Sequence, residues 1–200
     1  MKKIKRNFER KIEPLLSFMD RIGIKPVFLT FSGVIVALIP AYFYIKGNFI
    51  LAGIFLVIFS LFDTLDGALA RYKDDVTEFG AFIDSVFDRL QEGIIFASLI
   101  YFYRNELWIV LTLFFSFLFS FSISYTRARA EGLNYSITSG PMERPQRVIF
   151  LGISSLTGKN VLPYLLILFL ILVFVTFLRR VLSAYNLMNV KNKGSNPDSS

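Results

Sequence analysis

Long uncharged stretches dominate the chain, and short charged segments separate them. Six apolar runs lack Asp, Glu, Lys and Arg, at residues 27–45, 47–62, 93–103, 107–126, 148–158 and 160–178. About 20 helical residues cross a bilayer core, and the first, fourth and sixth runs supply this length by themselves. The second is long enough if it continues to about Arg71, the third if it begins near Glu78, and the fifth if it begins near Arg144. The pattern predicts an all-α protein with six transmembrane helices.

The N-terminal segment differs from these runs because it mixes basic and apolar residues. Its apolar residues share one face of a helix, and they are Ile4, Phe8, Ile12, Leu15, Leu16 and Met19. We expect residues 1–22 to form an amphipathic helix in the membrane interface, with its bases on anionic headgroups; a basic tail is the alternative. The six helices then occupy a domain at 23–186, and residues 187–200 form a disordered polar tail.

Basic residues are distributed unequally over the two ends of the predicted helices. With the N-terminus inside, the outer loops contain only Lys46, Arg104 and Lys159 of the 22 Lys and Arg residues, and Arg89 falls within a helix. Basic residues concentrate in the cytoplasmic loops of membrane proteins. The distribution therefore predicts a multi-pass protein of the plasma membrane with both termini in the cytoplasm. It also explains the net charge of +7 without a nucleic-acid partner.

The composition agrees with a membrane protein and excludes several kinds of catalysis. Hydrophobic residues make up 54% of the 200 residues, including 23 Phe, which is too apolar for a soluble domain of this size. The chain has no Cys, which excludes disulfides and thiolate chemistry. It also has no His, which excludes a Ser-His-Asp triad and the commonest zinc ligand. Acid–base chemistry must therefore use carboxylates, Lys, Tyr or metal-bound groups.

Two pairs of aspartates interrupt otherwise apolar helical sequence. Asp63 and Asp66 are three residues apart, which places them on one helix face. Asp84 and Asp88 are four residues apart, with the same consequence. Ionised side chains within membrane segments are costly and usually mark a functional site. Oxygen-only ligands select Mg²⁺, Mn²⁺ or Ca²⁺, so two adjacent helices would form a metal site at the cytoplasmic surface of the membrane.

Small residues and one arginine accompany the aspartates. Gly67 and Gly80 have no Cβ, so a bulky ligand can approach the backbone there. Ala70 is one turn from Gly67 and keeps the same face small. Arg71 can bind a phosphate oxygen. Together with a metal, these residues suit a nucleotide diphosphate.

The complete pattern from Asp63 to Asp88 is Asp-x2-Asp-Gly-x2-Ala-Arg-x8-Gly-x3-Asp-x3-Asp. It resembles the signature of the CDP-alcohol phosphotransferase family at every fixed position, and six helices are typical of that family. Its members transfer a phosphatidyl-type group from a CDP-activated lipid to an alcohol and release CMP. The resemblance implies this reaction, a two-metal site that binds Mg²⁺ or Mn²⁺, and a homodimer.

The resemblance also implies a role for each residue of the pattern. Asp88 would be the general base that removes the proton from the acceptor hydroxyl. Metal binding would involve Asp63, Asp66, Asp84 and Asp88. The CDP-lipid would contact Asp66, Gly67, Ala70, Arg71 and Gly80.

A second group of residues points to the acceptor. The sequences Ser-Tyr-x-Arg-Ala-Arg-Ala-Glu at 124–131 and Glu-Arg-Pro-x-Arg at 143–147 resemble those of the inositol-phosphate-using members, the phosphatidylinositol phosphate and archaetidylinositol phosphate synthases. Those members bind the acceptor's phosphate in a basic pocket, which guanidinium groups fit. Several relatives have Lys at the position of Arg127, which keeps the charge. The implied acceptor residues are Ser124, Arg127, Arg144, Arg147 and Arg180.

Several alternatives stay open at this point. Glycerol 3-phosphate is the main alternative acceptor, and its use would make the chain a phosphatidylglycerophosphate synthase. The arginines also agree with the ordinary bias of basic residues toward the cytoplasm. A divalent-cation transporter belongs to a different class, but its acidic residues are expected near the bilayer midplane. A non-catalytic lipid-binding protein would not need four aligned carboxylates. The donor is either CDP-diacylglycerol or CDP-archaeol.

Overall fold

Helices make up the regular structure of the described part of the chain, which contains no strand. The computed structural model describes residues 13–14, 16–23, 26–73, 77–137 and 140–194. Residues 16–21 are helical and are named α1. The longer helices are α2 (Pro26–Ile45), α3 (Phe49–Tyr72), α4 (Glu78–Phe102), α5 (Leu107–Glu131), α6 (Arg144–Ser155) and α7 (Leu162–Gly194). The all-α class predicted from the sequence is confirmed for these residues.

Two of the helices, α5 and α7, are long and apolar enough to cross a membrane. They meet this condition over Leu107–Glu131 and Leu162–Asn189. In the most apolar part of these two stretches, only 33% and 28% of the residues, respectively, are buried. Apolar side chains that stay exposed over a whole helix are expected where the surrounding solvent is lipid. The other apolar helical stretches, Thr30–Ile45 and Phe49–Ser60, are shorter. Length and composition therefore support two of the six predicted spans in the described residues.

The fifth predicted span is shorter in the structure than the sequence suggested. Helix α6 begins at Arg144, as expected, but it ends at Ser155 after 12 residues. At a rise of 1.5 Å per residue it is about 18 Å long, whereas a hydrocarbon core is about 30 Å thick. The chain turns after Ser155 because Gly158 adopts a positive φ of 81° and donates its N–H to the Ser155 carbonyl. Helix α6 is too short to cross the core by itself.

The helices form a bundle in which α2 contacts α3 and α4, α3 contacts α6, and α5 contacts α7. Two glycines allow α3 and α6 to approach closely, since a Cβ on Gly53 would lie 2.6 Å from the Gly152 carbonyl oxygen. Next to this crossing, a hydrogen bond of 2.5 Å joins Tyr44 Oη of α2 to Ser155 Oγ. These contacts fix α6 against its neighbours and so set the position of the arginines at its N-terminus.

The N-terminal segment packs against the end of α3 that carries the aspartate pattern. Leu16 and Met19 are buried against this helix. Close by, Asp20 Oδ1 lies 2.8 Å from Lys73 Nζ. Two side chains that the sequence placed on the lipid-facing side therefore face protein. Residues 1–12 and 15 lie outside the described residues, so the interfacial helix stays a prediction.

Helix α7 continues beyond the predicted end of the membrane domain. The sequence predicted a disordered tail from residue 187, but α7 reaches Gly194. No proline interrupts this stretch, so the backbone can continue the helix. The eight residues 187–194, predicted to be disordered, are therefore helical, and residues 195–200 lie outside the described part.

Candidate active site

The C-terminal half of α3 carries the first half of the aspartate pattern. Residues 63–71 are all helical, so the first two aspartates lie one turn apart in one helix, as their spacing predicted. Arg71 is exposed in the last turn of α3. The side chains of the other pattern residues of this helix lie outside the described part of the chain, and they are Asp63, Asp66, Gly67 and Ala70.

The second half of the pattern begins α4. Thr77 caps this helix, because its Oγ1 accepts a hydrogen bond of 3.0 Å from the Gly80 N–H. A Cβ on Gly80 would lie 2.9 Å from the same Oγ1, so the cap itself favours glycine. Gly80 therefore has a structural role in the cap, and its predicted role in admitting the nucleotide stays a prediction. Asp84 and Asp88 follow, one turn apart, and both are partly exposed.

Arg144 at the start of α6 contacts the second aspartate of α4. Its Nη2 lies 2.9 Å from Asp88 Oδ1 and donates a hydrogen bond of 2.6 Å to Gln91 Oε1. Gln91 is buried and packs against α2, where a Cβ on Gly33 would lie 2.7 Å from Gln91 Nε2. Two residues of α4 therefore hold Arg144, and one of them is the predicted general base.

Arg147 forms a second ion pair one turn further along both helices. Its Nε and Nη2 donate hydrogen bonds of 2.8 and 2.9 Å to the two carboxylate oxygens of Glu92. Its Nη1 donates to the Met142 carbonyl at 3.3 Å, and Nη2 contacts Ser124 Oγ at 3.5 Å. Arg147 is only 2% exposed and Glu92 9%. The pair is closed to solvent, and Ser124 connects it to α5.

Three of the five predicted acceptor residues lie together. Arg180 of α7 is buried, and its Nη1 donates a hydrogen bond of 2.8 Å to the Ile123 carbonyl. Ile123 immediately precedes Ser124, which contacts Arg147. Helices α5, α6 and α7 therefore each contribute one residue to a polar cluster, the Ser124–Arg147–Arg180 cluster.

The other two predicted acceptor residues lie apart from that cluster. Arg144 is placed beside Asp88, as described above. Arg127 is half-exposed, and its Nε donates a hydrogen bond of 2.8 Å to Glu131. It follows Ser124 by three residues, so both lie on one face of α5. Arg127 is the member of the group that a soluble molecule can reach most easily.

A small cavity lies between the two ion pairs and the apolar core. Its volume is about 20 Å³, and the polar part of its wall consists of Gln91, Glu92, Arg144 and Arg147. A buried water needs about 10–15 Å³ measured in this way, so a sugar phosphate does not fit there.

The described carboxylates suit a hard divalent cation. Asp84 and Asp88 offer only oxygen atoms and share one face of α4, which is the ligand chemistry that Mg²⁺ and Mn²⁺ prefer. Among the described side chains, no group of three or more potential ligands gathers at one point. The other two predicted ligands, Asp63 and Asp66, are not among those side chains, so the four-carboxylate site stays a prediction.

Gln91 and Glu92 are the residues of this region that the sequence did not assign to the site. A signal was nevertheless present. Asp88 and Glu92 are four residues apart, and Arg144 and Arg147 are three apart, so opposite charges recur with helical spacing. This signal becomes interpretable only when α4 and α6 are known to face each other.

Comparison with known proteins identifies relatives along nearly the whole chain. The family model of the CDP-alcohol phosphatidyltransferases matches residues 23–190. The chain is 34% identical over 190 residues to archaetidylinositol phosphate synthase of Pyrococcus horikoshii, covering 92% of this chain and 96% of that protein. It is 33% identical over 158 residues to phosphatidylinositol phosphate synthase of Mycobacterium tuberculosis, covering 77% and 71%.

Solved structures of the mycobacterial phosphatidylinositol phosphate synthase resemble the fold. The structure with CDP-DAG bound superposes with a TM-score of 0.80 at 27% identity, covering 88% of this chain and 94% of that one. The structure in complex with manganese and citrate gives a TM-score of 0.77 at 28% identity, covering 86% and 88%. The aspartate-bearing helices therefore belong to a known helical fold.

Proposed function

The chain belongs to the CDP-alcohol phosphatidyltransferase family, and we propose that it transfers a phosphatidyl-type group from a CDP-activated lipid to inositol 1-phosphate, releasing CMP. Membership makes it a membrane transferase of phospholipid biosynthesis. The observation that carries the acceptor is the Ser124–Arg147–Arg180 cluster, which three helices build within one turn of the Asp88–Arg144 pair. The names of the relatives from Pyrococcus and Mycobacterium support the same acceptor.

The proposed donor is CDP-diacylglycerol or CDP-archaeol. The mycobacterial relative was solved with CDP-DAG bound, and the relative from Pyrococcus has an archaetidyl name, so both donors belong to the proposal. Arg71 is exposed at the end of α3, where its guanidinium can pair with a phosphate oxygen. The proposed donor-binding residues are Asp66, Gly67, Ala70, Arg71 and Gly80.

The proposed metal site holds two Mg²⁺ or Mn²⁺ ions. Its chemistry is supported by the all-oxygen donor set and by the mycobacterial structure that contains manganese. When bound, these ions would neutralise the diphosphate and stabilise the leaving CMP. The proposed ligands are Asp63, Asp66, Asp84 and Asp88.

Asp88 is the proposed general base. Its side chain is partly exposed, so an acceptor hydroxyl can come within hydrogen-bond reach, about 2.6–3.2 Å. Arg144 contacts it from the side of α6. Asp88 would take the hydroxyl proton while the acceptor oxygen attacks the lipid-bearing phosphorus of the donor, and CMP leaves.

The proposed acceptor pocket uses the buried cluster as its floor and Arg127 as its exposed side. Ser124 offers a hydroxyl donor, and Arg180 adds a positive charge that attracts a phosphate. The charge of Arg147 is already balanced by Glu92, so Arg147 would act through its contact with Ser124. Arg127 lies one turn from Ser124 and would turn from Glu131 toward the acceptor. Exposed pairs of this kind contribute only about 0.2–1 kcal/mol, so the turn costs little. Arg144, the fifth predicted acceptor residue, lies apart from this pocket, beside Asp88.

The membrane arrangement follows from the same proposal. Six helices, α2 to α7, would form the membrane domain at residues 23–186, with both termini and the active site on the cytoplasmic side of the plasma membrane. The exposed apolar surfaces of α5 and α7 support membrane embedding. Helix α6, which is too short to cross the core by itself, would lie in the bundle against α3 and α7. A homodimer is part of the proposal because of the family resemblance.

Three alternatives agree with these observations to different degrees. Glycerol 3-phosphate also carries the phosphate that the cluster would bind, so it remains the alternative acceptor. A divalent-cation transporter is disfavoured because the whole described domain matches a transferase family. An uncharged alcohol such as serine would leave the arginines without an anionic partner.

CMP release by the purified protein tests the proposal. The protein would be supplied with Mg²⁺, either CDP-lipid, and one of four acceptors: inositol 1-phosphate, glycerol 3-phosphate, inositol or serine. We expect metal-dependent release with inositol 1-phosphate, and the inositol control should be inactive because it lacks the phosphate. Release with glycerol 3-phosphate alone would keep the family and replace the acceptor.

A further inference from the structure

Helices α4 and α6 are joined by two charged contacts that lie about one turn apart on each helix. The pair nearer the exposed aspartates is Asp88–Arg144, at 2.9 Å, and the deeper pair is Glu92–Arg147, at 2.8 Å. Between them, Gln91 accepts a hydrogen bond of 2.6 Å from Arg144. Gln91 is 3% exposed, so its amide stays in one place and limits where Arg144 can lie.

We propose that Arg144, fixed by Gln91, is a positioning residue for the Asp88 carboxylate rather than a ligand of the acceptor phosphate. This inference rests on the proposed catalytic role of Asp88. Arg144 Nη2 is the nitrogen that contacts both Asp88 and Gln91. The guanidinium therefore connects a buried amide to the carboxylate and holds that carboxylate in one orientation.

The placement of Arg144 distinguishes this role from phosphate binding. The acceptor cluster lies around Ser124 and Arg147, whereas Arg144 is directed to Asp88 and Gln91 on α4. A phosphate bound by Arg144 would compete with Asp88 for the same nitrogen. Small displacements of a catalytic group can reduce turnover by about 100-fold, so a residue that only orients Asp88 can control the rate without touching a substrate.

The same placement has a consequence for metal binding. A guanidinium in contact with Asp88 repels a divalent cation bound to that carboxylate, because like charges a few ångströms apart interact strongly near a protein surface. Arg144 would therefore weaken metal binding while it improves the geometry of the reaction. Removal of the Arg144 charge should therefore raise the affinity for the metal and lower the rate of the reaction.

Mn²⁺ binding, measured by the electron paramagnetic resonance of free Mn²⁺ without any substrate, tests the inference together with steady-state CMP release. We expect Arg144→Gln to bind Mn²⁺ roughly tenfold more tightly and to lose kcat with little change in the KM of the acceptor. Arg144→Lys keeps the charge but loses the planar fork, so its Mn²⁺ affinity should stay near that of the wild type while kcat falls. Arg129→Gln removes an exposed arginine of α5 and should change neither quantity.

The possible outcomes separate this inference from the proposed function. Wild-type protein that binds no Mn²⁺ would overturn the metal site itself and the inference with it. If the wild type binds Mn²⁺ and Arg144→Gln leaves the affinity unchanged or lowers it, only the inference is overturned. The inference requires the affinity to rise when the repelling charge is removed. A raised acceptor KM with normal kcat in Arg144→Gln would assign Arg144 to the acceptor phosphate instead.

Discussion

Arg147 and Glu92 form a forked ion pair inside the helical bundle, with hydrogen bonds of 2.8 and 2.9 Å between α6 and α4. Both residues are almost inaccessible to solvent. A buried ion pair is stabilising only while both partners are present, because removal of one leaves the other charged and desolvated. The pair therefore holds together α4, which carries the proposed base, and α6, which contributes to the proposed acceptor pocket.

The first prediction concerns the Glu92–Arg147 ion pair. Glu92→Gln should lower the free energy of unfolding by about 3 kcal/mol, because the Arg147 charge stays buried without its counter-charge. Thermal melting of the purified protein in detergent measures the loss. The matched control is Glu131→Gln, which breaks the exposed pair with Arg127 and should cost under about 1 kcal/mol. Equal melting shifts for the two variants would mean that the Glu92–Arg147 pair has no special stabilising role.

The second prediction concerns the crossing of α3 and α6. Gly53→Ala should destabilise the bundle by about 1–3 kcal/mol, because its Cβ would lie 2.6 Å from the Gly152 carbonyl oxygen and backbone cannot easily move away. Gly93→Ala is the control. Its Cβ would lie 3.6 Å from Phe117 Cζ, an ordinary contact. Since alanine is the better helix former, this control should melt at the wild-type temperature or above, and a loss of stability in both variants would contradict the close-approach argument.

The third prediction concerns the docking of the N-terminal segment. Leu16 is 2% exposed against α3, so Leu16→Ala should cost about 2 kcal/mol of local docking energy. Limited trypsin digestion should then cleave faster at the nearby exposed Arg21. Phe18 is 61% exposed, and Phe18→Ala should leave the cleavage rate unchanged. Equal rates in all three proteins would show that burial of Leu16 does not hold the segment.

The sequence was most informative where spacing along one helix decides the outcome. The intervals within the aspartate pattern predicted that Asp63 and Asp66 share one helix and that Asp84 and Asp88 share another, because helical periodicity depends only on local geometry. Apolar runs likewise predicted the helices α5 and α7. Both features need no knowledge of which helices are neighbours.

Contacts between helices could not be predicted in the same way. The partners of Arg144 and Arg147 depend on how α6 faces α4, and α6 is set by the close approach at Gly53 and Gly152. Leu16 was predicted to face lipid, but packing against α3 buries it, and this contact also depends on tertiary structure. The short length of α6 depended on a turn at Gly158, which the apolar run did not reveal because glycine is itself uncharged.

The measurement that tests the account most directly is CMP release from the CDP-lipid with inositol 1-phosphate, compared between wild-type protein and Asp88→Asn. The amide keeps the shape of the side chain but cannot accept the hydroxyl proton. The account predicts metal-dependent release by the wild type, loss of turnover by at least about 100-fold in Asp88→Asn, and CDP-lipid binding that is largely retained. Release at the wild-type rate by Asp88→Asn, or none by wild-type protein with either lipid donor and any acceptor, would contradict it.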